Sequence, residues 1–138
     1  MRVLLVATAL LLTACQGPAG GNEKGAPMPG AGVRLVRGAQ ELVGSAAFCS
    51  RPATVGRDKV EQATPEAAEL QQDAVPLGSA RYRLIRSRMN SRIVRVCTEV
   101  ARDEGHDLVF CGGDIADARG LQVQDLTALV LAAMREER

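Results

Sequence analysis

A single amphipathic stripe constrains this chain more than any other feature. Tyr82, Ile85, Met89, Ile93, Val96 and Val100 recur at spacings of three and four, the period that lines up side chains on one face of an α-helix. The spacing predicts a helix from about Ala80 to Glu104, ~37 Å long at 1.5 Å per residue. Val94, Cys97 and Ala101 widen the apolar face near its end, so the C-terminal half should be the more buried. Gly105 stands where helices end on a left-handed residue. Such a helix needs a second apolar surface to cover it. With one Tyr, two Phe and no Trp in 138 residues, that surface must be aliphatic and modest, enough for one domain. Oligomerisation would be a natural way to gain buried area.

The pieces around the helix read as follows. Val33 to Arg37 alternates and predicts a short strand. Ala39, Leu42, Val43, Ala46 and Ala47 fall at helical spacing, predicting a helix from about Ala39 to Phe48. Residues 50–80 are interrupted by Pro52, Gly56, Pro65, Pro76 and Gly78 and read as irregular and weakly helical. Within them Thr64-Pro65-Glu66 is a helix start, Thr64 capping and Pro65 in the first turn. Asp107 to Cys111 reads as a buried strand, Gly112-Gly113 as a hairpin turn, and Asp114 to Arg119 as a second strand pairing back. Leu126, Leu129, Val130, Ala133 and Met134 mark a closing helix capped by Asp125 or Thr127. The expected class is α/β: a small β body, made of the N-terminal strand and the C-terminal hairpin, with one long helix and a closing helix.

The first fifteen residues carry a separate message. Met1-Arg2 is a short positive start and Val3 to Leu12 a run of ten mostly apolar residues. A membrane-spanning helix needs ~20, so the run fits a signal peptide instead. It ends Leu12-Thr13-Ala14-Cys15, which resembles the lipobox of bacterial lipoproteins. That resemblance implies a signal peptide over 1–14, cleavage after Ala14 and acylation of Cys15. Membrane lipid held through Cys15 is then the first expected partner, because two or more acyl chains make a stable anchor. The second mature residue is Gln16, not Asp. In diderm bacteria of the enteric type this resembles lipoproteins sorted to the outer membrane, so the expected location is the cell envelope, lipid-anchored and facing the periplasm. Gln16 to Gly32 holds six Gly and three Pro. With Cys15 it reads as a tether over 15–32, a coil of ~5–6 Å × √n letting the domain over 33–138 stand roughly 20–25 Å from the bilayer.

Charge excludes one class of partner. The chain has 17 basic and 16 acidic residues, and loss of Arg2 with the signal leaves the side chains balanced. A neutral chain has no electrostatic reason to bind nucleic acid. The distribution is less even than the sum. Between Arg81 and Arg102 the long helix carries seven arginines against one acid, Glu99. Arg81, Arg83, Arg86, Arg88 and Arg92 are the candidate partner-binding surface, for anionic lipid or an acidic protein segment. The plainer reading is a solvated helix face balanced by acids elsewhere.

Candidate chemistry is thin. Cys97 and Cys111 form a candidate disulfide with Cys49 as the rival partner, and three buried small apolar residues are the alternative. His106 lies next to Asp107 and five residues before Cys111. A strand puts residues five apart on opposite faces and ~17 Å apart, which argues against a Cys-His-Asp catalyst. No CxxC or HxxxH spacing supports a metal. Gly112-Gly113-Asp114 lacks the Lys-Ser/Thr of a phosphate loop and the Asp spacing of a calcium loop. No catalytic residue, cofactor or metal is expected.

Three segments together resemble the Skp/OmpH family of periplasmic chaperones. They are a helix ending Val100-Ala101-Arg102-Asp103-Glu104-Gly105, then His106-Asp107-Leu108-Val109, then Val123-Gln124-Asp125-Leu126-Thr127-Ala128-Leu129-Val130-Leu131. The opening Val33-to-Phe48 strand and helix would occupy the family's first strand and helix, bringing the coverage to about 58 residues of 138. The resemblance implies a homotrimer whose strands build a small β body, with antiparallel helical arms that enclose unfolded outer-membrane proteins. The prolines of residues 50–80 leave little room for arms, so these should be stunted. The expected function is a non-enzymatic, membrane-anchored module that binds envelope or outer-membrane proteins weakly and in a salt-sensitive way, with little suppression of aggregation. The other reading is an accessory lipoprotein docked to a larger envelope complex.

Overall fold

The computed structural model describes residues 32–37, 39–111 and 115–137. The leader, Cys15 and most of the tether lie outside the described residues, as does the Gly112-Gly113 turn. The described chain is mixed α/β: β1 Arg34–Leu35, β2 Glu41–Val43, a 3-10 turn Ala46–Phe48, β3 Pro52–Val55, α1 Arg57–Gln62, α2 Pro65–Gln72, α3 Ala80–Glu104, β4 Leu108–Cys111, β5 Ile115–Asp117, β6 Gln124–Asp125 and α4 Thr127–Glu136.

The long helix occupies the expected residues. The Ser79 hydroxyl accepts from Tyr82 N at 3.1 Å and opens α3, satisfying one of the donors a helix start leaves over. Gly105 closes it at φ 72°, its N–H and that of His106 donating to Arg102 and Ala101 carbonyls. Ile85, Met89, Ile93, Val96, Cys97 and Ala101 are buried. Val94 remains 40% exposed, so the widening of the apolar face rests on Cys97 and Ala101 alone.

The main sheet has four strands in the order β2-β4-β3-β6. β4 runs parallel to β3, with Pro52 opposite Leu108 and Val55 opposite Cys111. β6 lies parallel on the other side of β3, and β2 is antiparallel to β4. β3 is thus a central strand, placed where the sequence reading expected irregular chain. Its four residues begin with a proline, are followed by a glycine and are largely buried on both faces, so they show no alternation. Pro52 is tolerated as the first strand residue, where no ladder donor is needed.

Two other expectations are corrected. The helix expected over Ala39–Phe48 is β2 followed by the 3-10 turn. Between them Gly44 adopts φ 75°, and a Cβ there would sit 1.9 Å from the Asp107 carbonyl oxygen. The chain passes too close to its neighbour for a helix, and only glycine fits. The strand after the Gly-Gly turn does not pair back on β4. β5 pairs instead with β1, as a separate two-stranded ribbon.

The two sheet faces carry two cores. Val55, Ala53 and Val109 pack with Val60, Met89, Ile93, Val96, Cys97, Leu126 and Val130, where α1, α3 and α4 cover the sheet. On the other face Leu108 and Phe110 pack with Val33, Ala46 and Cys49, flanked by Leu35, Ile115, Leu121 and Val123 of the ribbon and its return. Only the period-two alternation of β4 divides its residues between these cores. Cys49, Cys97 and Cys111 are all buried thiols, so neither candidate disulfide is formed.

Candidate functional site

The arginine face of α3 meets acids from three other elements. Arg81 pairs with Asp73 and, at 3.5 Å, with Glu69. Arg86 meets Glu61 at 2.8 Å, Arg88 meets Glu69 at 2.9 Å, and Arg92 meets Glu66 at 3.1 Å and Glu137 at 3.2 Å. As the arginine number rises along α3 the acid number falls through α2, so the two helices are antiparallel neighbours. Of the five candidate residues, Arg83 alone is exposed with no ion pair to a described residue. The surface read as basic is a ladder of internal pairs.

Most rungs are exposed and individually worth only ~0.2–1 kcal/mol. The innermost is stronger. Glu61 takes hydrogen bonds from Arg57 at 2.6 Å and Arg86 at 2.8 Å, tying α1 to α3. Burial works against its charge, but the two guanidiniums hold its carboxyl below the ordinary range. Glu66 is buried and receives Arg92 through both oxygens, at 3.2 and 3.1 Å. Thr64 seats this helix as expected: its hydroxyl accepts from Ala67 N at 3.1 Å and donates to the Glu61 carbonyl at 2.7 Å.

The ladder holds out a short helical arm. α2 and the first turns of α3 form a hairpin closed by Pro76-Leu77-Gly78. Val75 and Ile85 are buried within it, but Leu77 is 84% exposed and Leu84 61% exposed. Two large aliphatic side chains thus face solvent at and near the free end of the arm. Phe48, at the end of the 3-10 turn, is 79% exposed. None of the three was singled out from sequence. Leu77 could have been, because a leucine between proline and glycine cannot be buried by its own turn. Phe48 was hidden by the expected helix.

The polar residues near His106 make a small structural cluster. Asp107 accepts from Ser50 N and Ser50 Oγ at 2.7 Å each and from Arg51 N at 2.9 Å. The imidazole of His106 lies between the Arg51 carbonyl, 3.1 Å from Nδ1, and the Gln124 side-chain oxygen, 3.2 Å from Nε2. A shallow cavity of about 410 Å³ opens beside them, lined by Ser50, Arg51, His106 and Gln122 to Gln124. Ser50 Oγ gives its proton to Asp107 and not to His106, and Cys111 is at the far end of β4. No nucleophile among the described residues of this cluster is therefore placed against a base. Among the described residues no cluster of His, Cys, Asp or Glu has the makings of a metal site, and no helix is long and apolar enough to cross a membrane. No family model, curated protein or solved structure matches this chain.

Proposed function

We propose that this chain is a membrane-anchored envelope lipoprotein whose domain binds other proteins, a Skp/OmpH-like module with stunted arms that assembles as a homotrimer. The lipobox-like Leu12-Thr13-Ala14-Cys15 supports the anchor at Cys15, and envelope placement at the outer membrane rests on Gln16 in the second mature position. The observation that carries the binding role is the arm itself: a helical hairpin stapled by ion pairs that leaves Leu77 and Leu84 in solvent. Stiffening a hairpin to display apolar residues is costly unless something covers them.

The order of elements also supports the family reading, at a shifted position. The strand and helix that precede the arm are β3 and α1, not the Val33-to-Phe48 segment. β3 lies between the two strands supplied by the C-terminal part of the chain. The arm is much shorter than an enclosing cavity needs: eight residues of α2 span ~12 Å. The module therefore grips by contact and does not enclose. Because four of the five candidate arginines are paired within the chain, that grip is apolar, and the salt-sensitive binding expected from sequence gives way to salt-tolerant binding.

The test is dilution of an urea-unfolded β-barrel outer-membrane protein into the domain from Gly32 onward, followed by fluorescence anisotropy. Weak saturable binding is expected, unchanged by salt and lost in the Leu77→Asp, Leu84→Asp variant. Absence of binding would favour the second reading, an accessory lipoprotein docked to a larger envelope complex through the same tip. In cells, Cys15→Ser should move the protein out of the detergent-extractable membrane fraction; identical fractionation of the two would remove the anchor from the account.

A further inference from the structure

Two of the three buried thiols, Cys97 of α3 and Cys111 of β4, fall at similar distances along their elements from the turn that joins helix to strand. From Gly105, α3 runs back eight residues to Cys97, ~12 Å at the helical rise, while β4 runs three residues from Leu108 to Cys111, ~10 Å at the strand rise. Both side chains belong to the helix-covered face. Cys97 belongs to the core that also holds Val55, Val96 and Val109. Cys111 shares the side of β4 that Val109 occupies, and stands opposite Val55 in the parallel ladder. Cys49 belongs to the other face, among Val33, Leu108 and Phe110, with its sulfur turned to the Ala46 carbonyl at 3.6 Å. The sheet separates it from the pair.

A cation completes the arrangement. Arg57 follows Val55 by two residues at the end of the sheet where Cys111 sits; its guanidinium bonds Glu61 and Asn90, and the Cys111 sulfur lies within its electrostatic reach. A guanidinium beside a sulfur favours the thiolate, the form that attacks a disulfide. We propose that Cys97 and Cys111 are a redox pair that closes to a disulfide latch between α3 and β4, with Cys111 as the attacking thiol and Arg57 as its positioning cation. The oxidant is a disulfide, of a small molecule or of a thiol oxidase. The Cys111 thiolate attacks one of its sulfurs, forming a mixed disulfide and expelling a thiolate. Cys97 then loses its proton, attacks the Cys111 sulfur and expels the second thiolate. Two electrons and two protons pass to the oxidant, which leaves as two thiols.

The order of attack follows from the surroundings. Burial, and then the neighbouring Cys111, push the Cys97 thiol up to about 12, so it is the slower thiol and suits the resolving step. Closure would fasten the longest helix to the central strands.

Equilibration of the full-length chain in a glutathione redox buffer, followed by acid quench, denaturing alkylation, proteolysis and mass spectrometry, tests the latch. The expected product links the Cys97 and Cys111 peptides, two hydrogens lighter than the thiols, with Cys49 alkylated. Reduction should then lower the melting midpoint by roughly 10–20 °C. Alkylation of both Cys97 and Cys111, a bond from either of them to Cys49 or Cys15, or glutathione retained on Cys111 would each overturn the proposal. Arg57→Gln should give the same linked pair several-fold more slowly; an unchanged rate would overturn the part assigned to the guanidinium.

Discussion

Asp107 shows how much a single residue organises here. Its carboxylate gathers Ser50 N, Ser50 Oγ and Arg51 N, so it aligns the start of β3 with the start of β4. Burial opposes its charge, but the Ser50 hydroxyl and the two backbone N–H groups outweigh that and hold its carboxyl below the ordinary range. A carboxyl depressed in the folded state contributes stability that is complete above its unfolded value, ~3.9, and lost as pH falls through the folded one. Asp107→Asn should therefore cost about 1 kcal/mol at neutral pH, discounted for the exposure of the site. In urea titrations the loss should shrink as the pH drops below ~4. A variant as stable as wild type at neutral pH would show that the three hydrogen bonds add nothing net. The sequence placed Asp107 at a strand start but could not show this role, because its partners lie 56 and 57 positions away.

At the scale of elements, the arm depends on the arginines that first read as a binding surface. Arg86 and Arg88 bridge α3 to α1 and α2, whereas Arg83 is exposed and makes no ion pair to a described residue. Arg86→Gln with Arg88→Gln should speed amide exchange across residues 65–72 by roughly 3–10-fold, and Arg83→Gln should leave it unchanged. Equal exchange in both variants would mean that apolar packing alone holds the hairpin. α3 was legible in the sequence because its stripe repeats from Tyr82 to Val100 and its stop, Gly105, is local, while the Ser79 cap emerged only with the structure. β3 and β6 were not, being four and two residues long and defined only by partners distant in sequence. The arginines were visible but their acids were not, since Glu61, Glu66 and Glu69 lay in the stretch read as irregular. Leu77 and Leu84 stood out only once the arm was seen to end there.

For the whole molecule, the outstanding feature is what one copy leaves uncovered. The main sheet ends on β2 and β6, strands of three and two residues whose outer edges carry no further strand among the described residues. Phe48 stands 79% exposed beside the ribbon core, in a chain with only two phenylalanines. Open edges and a bare aromatic are liabilities that a second and third copy would cover. Assembly is also what separates a chaperone-like body from a lone docking domain, so the oligomeric state bears on the function itself. The direct measurement is light scattering of the domain from Gly32 onward at high micromolar concentration. The account predicts the mass of a trimer, falling to that of a monomer with Phe48→Ser. A wild-type domain that scatters as a monomer under those conditions would contradict it.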